Sequence, residues 1–154
     1  MRYGGRDHDL HRLTADHAEW IRGLPAVALV DDFLLLHSDT ARYLELGSTV
    51  ELINKAVAQA LREDDVLAWR DFYTLMRSRD DFRDAEPAKP DDAVARLLDA
   101  LGGKTIVHGH TQLSKFGLAP ADITGAHRYA DGRVLAIDGG VFEPGGRILL
   151  TRLA

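Results

Sequence analysis

Two short apolar runs in this chain each end in a histidine, and that pairing constrains its fold more than any other feature. Phe33-Leu34-Leu35-Leu36 leads into His37, and Ile106-Val107-His108-Gly109-His110-Thr111 carries a second histidine, His110, past a glycine. Apolar runs this short, bounded by polar and turn-forming residues, read as buried strands. Each strand then delivers a histidine at its C-terminal end, and Gly109 leaves room there for a close backbone approach. Two strand tips far apart in sequence meet most simply within one sheet. A divalent metal is the natural occupant of such a meeting point, because neutral imidazole is the commonest protein ligand for transition metals. Two ligands make half a site, since three or four hold a catalytic metal. Taken alone, either histidine reads more readily as a hydrogen-bonded surface or core residue at a strand end than as a ligand.

The rest of the chain supplies elements to carry that sheet. Thr14 opens a short helix that runs to Arg22 and stops at Gly23. Residues 26–30 and 33–37, joined by Asp31-Asp32, read as a hairpin. A helix over residues 48–62 is capped by Ser48 and aligns Val50, Ile53, Val57 and Leu61 on one face. The next, from Asp64 or Asp65 to about Arg77, has an apolar side of Val66, Trp69, Phe72, Tyr73 and Met76, read as core packing. Residues 80–92 are charged, contain Pro87 and Pro90, and read as a surface loop. Asp91 or Asp92 caps a helix through Ala93, Val94, Leu97, Leu98 and Leu101, ended by Gly102-Gly103. A strand over 105–108 and a long loop over 114–125 follow. Two hairpins close the chain: 127–130 with 134–138 through Asp131-Gly132, and 141–142 with 148–153 through Pro144-Gly145-Gly146. About three helices with a mostly antiparallel set of some six strands imply an α+β fold, or an α/β one, in a single domain spanning residues 1–154.

Composition bounds the partners. The apolar fraction is 45% and the charged fraction 28%, ordinary for a globular domain. A net charge of −5 with interleaved signs gives no footprint for nucleic acid. The absence of cysteine excludes disulfides and thiolate metal sites and fits a cytoplasmic location. No run approaches a membrane span and the N-terminus has no signal-peptide core, so no membrane partner is expected. His8, His11 and His17 sit among charges and read as exposed, and Asp7-His8-Asp9 reads as solvated loop.

At the two histidine segments the chain resembles the calcineurin-like metallophosphoesterases, in their phosphoprotein-phosphatase and dinucleotide-polyphosphate-hydrolase branches. Residues 33–37 resemble the strand ending in that family's mid-chain metal-binding histidine. Val107-His108-Gly109-His110-Thr111 resembles its late Gly-His-Thr motif, whose histidine binds the same metal. Leu135-Ala136-Ile137-Asp138-Gly139-Gly140-Val141-Phe142, followed by Gly146-Arg147-Ile148-Leu149-Leu150, resembles its closing strand pair. Leu75-Met76-Arg77-Ser78-Arg79-Asp80 is similar to its Leu-Trp-Ser-Arg segment, and Gly4-Gly5-Arg6 to a stretch just downstream of its Gly-Asn-His-Asp motif.

The resemblance implies a partial α/β/β/α sandwich and a binuclear site holding manganese, iron or zinc. It makes His37 and His110 ligands of one metal and Arg79 the catalytic residue that neutralises substrate phosphate. Asp138 would hold one of the histidine rings or cap a turn, and His108, two positions before His110 on the same strand face, would be structural or support the ligands. A solvated charge run, Arg77 to Asp81, remains the other reading of Arg79. The implied substrate is a phosphate monoester or pyrophosphate ester.

The family's opening motifs, Gly-Asp-x-His, Gly-Asp-x-x-x-Arg-Gly and Gly-Asn-His-Glu/Asp, have no counterpart here, and Ser38-Asp39 stands where glycines would follow His37. The chain therefore reads as the C-terminal half of a phosphoesterase, without its bridging carboxylate and general acid and with weakened metal binding. Three alternatives stay open: a fragment of an enzyme, a non-catalytic binding module, or one half of a split enzyme completed by a partner chain. A missing half would also expose apolar surface at residues 26–30, 33–36 and 134–137 and favour homo-oligomers.

Overall fold

The two histidine-terminated runs form neighbouring strands in the computed structural model, which describes residues 11–63, 66–83 and 92–153. Strand β1 (Val27–Val30) pairs antiparallel with β2 (Phe33–Leu36) across a turn in which Asp31 takes a φ of 51°, a left-handed conformation that aspartate tolerates. Strand β2 lies parallel to β3 (Thr105–His108), with Leu36 opposite His108. Beyond β3 come β5 (Val134–Ala136), parallel to it, and β4 (His127–Tyr129), antiparallel to β5, giving the order β1-β2-β3-β5-β4.

This five-stranded sheet is mixed, not mostly antiparallel as expected. The physical reason lies in the crossover. Between β2 and β3 the chain spends a 3₁₀-helix (Ala41–Glu45) and the helices α2 (Val50–Ala60), α3 (Val66–Met76) and α4 (Ala93–Leu101), long enough to return it parallel. The hairpin around Asp131-Gly132 forms as read, but the expected final strand pair does not. Residues 137–153 run as turns and irregular chain. A Cβ on Gly146 would collide with the Gly140 carbonyl, and one on Gly139 with the Arg147 carbonyl, so the chain doubles back through approaches that only glycine permits, with the Arg147 amide donating to the Gly139 carbonyl across the turn. One sheet with helices is what the described residues hold; a second sheet is not among them.

One sheet face is helix-covered. Val27, Leu34, Ile106 and Val134 pack with Ile53 and Val57 of α2 and with Val94, Leu97 and Leu101 of α4. On the opposite face the register aligns Ala28, Leu35, Val107 and Leu135. The N-terminal helix α1 (Ala15–Arg22) buries nothing, so α2, α3 and α4 carry the core. Thr49, not Ser48, caps α2 by accepting from the Leu52 amide. On α3 the buried side is Leu75 with partly buried Phe72 and Met76, whereas Trp69 and Tyr73 face solvent, the Trp69 indole donating to the Glu63 carbonyl. The expected exposed surfaces shift too. Leu29 and Val30 are open as expected, whereas Leu34, Leu36 and residues 134–136 are buried, and the other open apolar side chains include Val141, Phe142, Ile148 and Leu150.

Three polar contacts fasten the frame. Asn54 accepts from the Ala26 and Val27 amides and donates to the Val27 carbonyl, so one side chain of α2 substitutes for a strand neighbour at the β1 edge. Asp92 caps α4 by accepting from the Val94 and Ala95 amides, and it pairs with Arg133 at 2.8 Å. Burial pushes the Asp92 carboxyl up, and those amides and Arg133 outweigh it, so the group ends below its ordinary value. Among the described residues no helix is long and apolar enough to cross a membrane.

Candidate metal centre

In open sheets with parallel strands, ligands bind beyond the carboxyl ends of those strands. Here the three parallel strands β2, β3 and β5 run out at Leu36, His108 and Ala136, and the residues that follow include His37, His110 and Asp138. The rings of His37 and His110 approach to 4.8 Å between centroids, tilted by 43°. Convergence of the two strand tips follows from the register, which sets Leu36 beside His108 and so places the two exit loops side by side.

The two rings are held differently. His37 is exposed, but the protein packed on its inner side desolvates it; that, with the neighbouring His110 ring, lowers its pKa despite the opposing pull of Asp138. His110 is half-buried, and its Nε2–H donates to the Arg77 carbonyl at 3.2 Å. In the neutral ring that bond fixes the tautomer and leaves Nδ1 with a lone pair for a ligand. Its backbone has a φ of 61°, and the Thr111 amide donates back to the Gly109 carbonyl at 2.7 Å. His110 therefore sits at the centre of a γ-turn of the rarer, positive-φ kind. Gly109 is not the close-approach residue expected, because a Cβ there would lie 3.7 Å from the His37 carbonyl, an ordinary contact.

His108 does not share the face of His110. The γ-turn breaks the strand alternation between them, and His108 points into the core against Phe82 and Tyr129. It is fully buried. Its Nδ1–H donates to the Gly109 carbonyl and its Nε2 accepts from the Tyr129 hydroxyl, both at 2.8 Å, so neither nitrogen is open to a metal. Desolvation lowers its pKa even though Asp39 and Asp138 favour its charged form. Burial in turn pushes the Tyr129 hydroxyl far up.

Asp138 accepts from the Gly140 amide at 2.9 Å, the turn-capping role; among the described residues its carboxylate bonds no histidine ring. Arg79 is exposed on the loop that supplies the Arg77 carbonyl, and among the described residues it makes no hydrogen bond or ion pair. His11 and His17 are exposed as expected, whereas Asp7-His8-Asp9 and Gly4-Gly5-Arg6 lie outside the described residues. Among the described residues no group of three or more His, Cys, Asp or Glu side chains is arranged to hold a metal ion.

A buried polar loop behind the histidines escaped the sequence reading. Ser38, Asp39 and Thr40 are all fully buried. Asp39 accepts from the Thr111 hydroxyl and from the Asp80 amide, and its carbonyl accepts from the Asp81 amide. Asp81 in turn accepts from the Thr40 hydroxyl and the Ala41 amide, and the Tyr43 hydroxyl from the Ser38 amide. Of residues 80–83, Asp80, Asp81 and Arg83 are exposed as the surface-loop reading expects, but Phe82 is fully buried and anchors the segment. Hydropathy gives no warning of this, because small polar residues after a strand ordinarily signal a solvated turn.

Two open depressions flank the pair. One, of about 370 Å³, is lined by Ala28, Leu35 and His37; the other, of about 270 Å³, by Gly109, Asp138, Val141 and Leu149. Compared with models of known protein families, with curated proteins and with solved structures, the chain matches none.

Proposed function

We propose that the chain is part of a metal-dependent phosphoesterase, in which His37 and His110 bind one divalent cation of a binuclear centre. The observation that carries this reading is the 4.8 Å approach of the two rings at the carboxyl ends of adjacent parallel strands. Imidazoles bound to one ion through bonds of about 2.0–2.1 Å stand at this kind of separation. The donor chemistry agrees. His37 is shifted toward the neutral form that metals require, and His110 has a fixed tautomer with one nitrogen free. On this reading the sheet belongs to one half of an α/β/β/α sandwich, and Arg79, reaching into solvent, meets the phosphate of an incoming ester.

A bound pair of cations would clamp the phosphate and lower the pKa of an attacking water. This chain's described residues contribute two ligands and a charge-neutralising arginine to that chemistry. They contribute no bridging carboxylate and no general acid. Binding without turnover is therefore the expected property of the chain by itself, with the remaining ligands coming from outside these residues.

Zinc and manganese titrations of the purified chain, paired with p-nitrophenyl phosphate hydrolysis, test the reading. Weak zinc binding lost in both His37→Ala and His110→Ala, with hydrolysis near background, is expected. Binding indifferent to both substitutions removes the metal assignment. Robust turnover that vanishes in His110→Ala shows a complete site, and then the missing ligands lie within the chain.

A further inference from the structure

We infer that Asp39 is the positioning residue of the histidine pair, its buried carboxylate clamping the two loops that hold the His110 backbone and the His110 ring. This inference rests on the reading above for the identity of the ligand, while the geometry it asserts is a property of the chain itself.

The backbone conformation of His110 is an unfavourable one. A non-glycine residue at the centre of a positive-φ γ-turn persists only when its surroundings over-determine it. His110 is such a residue, and two contacts restrain it, one through the next residue and one on its ring. Next in the chain, the Thr111 hydroxyl donates to Asp39 Oδ1, which fixes the far end of the turn. Across the gap, the Arg77 carbonyl accepts from His110 Nε2, which fixes the ring. The loop carrying that carbonyl is itself tied to Asp39, whose Oδ2 accepts from the Asp80 amide at 3.0 Å and whose backbone carbonyl accepts from the Asp81 amide at 3.1 Å.

A closed circuit results: Asp39 to Thr111, Thr111 to His110, His110 to Arg77, and the Arg77 loop back to Asp39. A carboxylate suits the junction because it is acceptor-only, with two oxygens facing two donors. Asp39 also stands two residues from His37, on the loop leaving β2. Asp39 therefore ties the loops of both histidines to a common point without bonding either ring. Full burial excludes water that would otherwise compete for its donors.

The test uses the whole chain, metal-free and isotope-labelled. A nuclear Overhauser contact between the His37 and His110 ring protons reads positioning without any metal, and zinc affinity by chelator competition reads the ligand function. Thr111→Val and Asp39→Ala should each abolish the inter-ring contact while the sheet amides keep their dispersion. Each should weaken zinc binding by about tenfold or more. Thr111→Ser, which keeps the hydroxyl, should restore both, and the double variant should lose no more than Asp39→Ala alone.

Ile53→Val, a core change in α2, should lower stability and leave both readouts intact; Thr111→Ala replaces the valine variant if that one does not fold. Survival of the inter-ring contact in Thr111→Val or Asp39→Ala overturns the inference, as does its loss in Ile53→Val. If the wild-type chain takes up no zinc while the ring contact follows the expected pattern, the metal reading falls and the positioning role stands.

Discussion

The loops at the carboxyl edge of β2 and β3 and the last stretch of chain, residues 137–153, are built on opposite terms. Around His37 and His110, Ser38, Asp39, Thr40 and Thr111 are buried polar groups, and Asp39 alone receives three hydrogen bonds from residues distant in sequence. In the terminal stretch, Val141, Phe142, Ile148 and Leu150 are apolar and exposed, at 62%, 74%, 85% and 101%, and among the described residues its hydrogen bonds to the rest of the chain stop at Arg147. Burying polar groups is costly unless every donor and acceptor is matched, so the first region has essentially one way to be arranged. Exposed apolar side chains impose no such demand, and a contiguous set of them marks an unfinished interface. The site that the fold specifies is thus the polar one.

The largest effect should separate the two regions outright. Asp39→Ala leaves the Thr111 hydroxyl and the Asp80 amide without their acceptor in a buried setting, and is expected to cost about 2–4 kcal/mol of folding stability. Phe142→Ala removes a much larger side chain from solvent-exposed chain and should change stability by no more than about 0.5 kcal/mol. Urea unfolding of both variants checks the contrast; near-equal losses would mean that the terminal stretch is as well packed as the loops.

A medium effect concerns pH. His108 is buried as the neutral ring, with its folded pKa below the ordinary 6.5. The unfolded chain takes up a proton near 6.5 that the folded chain resists, so this contribution to stability is complete above that pH. It is lost progressively as the pH falls from 6.5 toward the lower folded value. The slope approaches about 1.4 kcal/mol per pH unit for one such group. Unfolding midpoints measured between pH 7 and 5 should fall for the wild type and fall less steeply for His108→Gln, the remainder coming from His37, whose folded pKa is also lowered. A parallel fall in that variant would assign the sensitivity to another group. Tyr129→Phe, which removes the hydroxyl donated to His108 Nε2, should cost about 1–2 kcal/mol and raise the folded pKa of the ring.

How far the sequence reveals this molecule depends on whether the determining interaction is periodic. The hairpin of β1 and β2, the helix faces of Ile53/Val57 and of Val94/Leu97/Leu101, and the approach of His37 to His110 were all legible, because short apolar runs bounded by turn residues and helical spacing report burial directly. The parallel pairing of β2, β3 and β5 was not, since strand direction is set by crossovers that leave no local mark. The true orientation of His108 was hidden by the γ-turn at His110, which breaks the two-residue rule at the place where it was applied. Asp39 was hidden because a charged residue beside a serine and a threonine reads as solvent loop until its partners, 41 and 72 positions away, are known.

The smallest effect on stability should be the most visible in solution. Replacing Phe142 and Ile148 together by serine removes apolar surface that touches little of the chain, so the unfolding midpoint should move by no more than about 0.5 kcal/mol per site. Association behaves differently. If these side chains form an unfinished interface, the wild-type chain should self-associate or bind a hydrophobic dye, and the double variant should shift sedimentation toward the 17.0 kDa monomer. Leu149 supplies the control, because it packs against Leu113, Ile123 and Ala136 beside the second depression. Leu149→Ser should destabilise the chain and increase association, the opposite of its two neighbours. A wild type that already sediments as a clean monomer without dye binding would show that the exposed apolar residues are tolerated singly, and the contrast between the two regions would then rest on polar order alone.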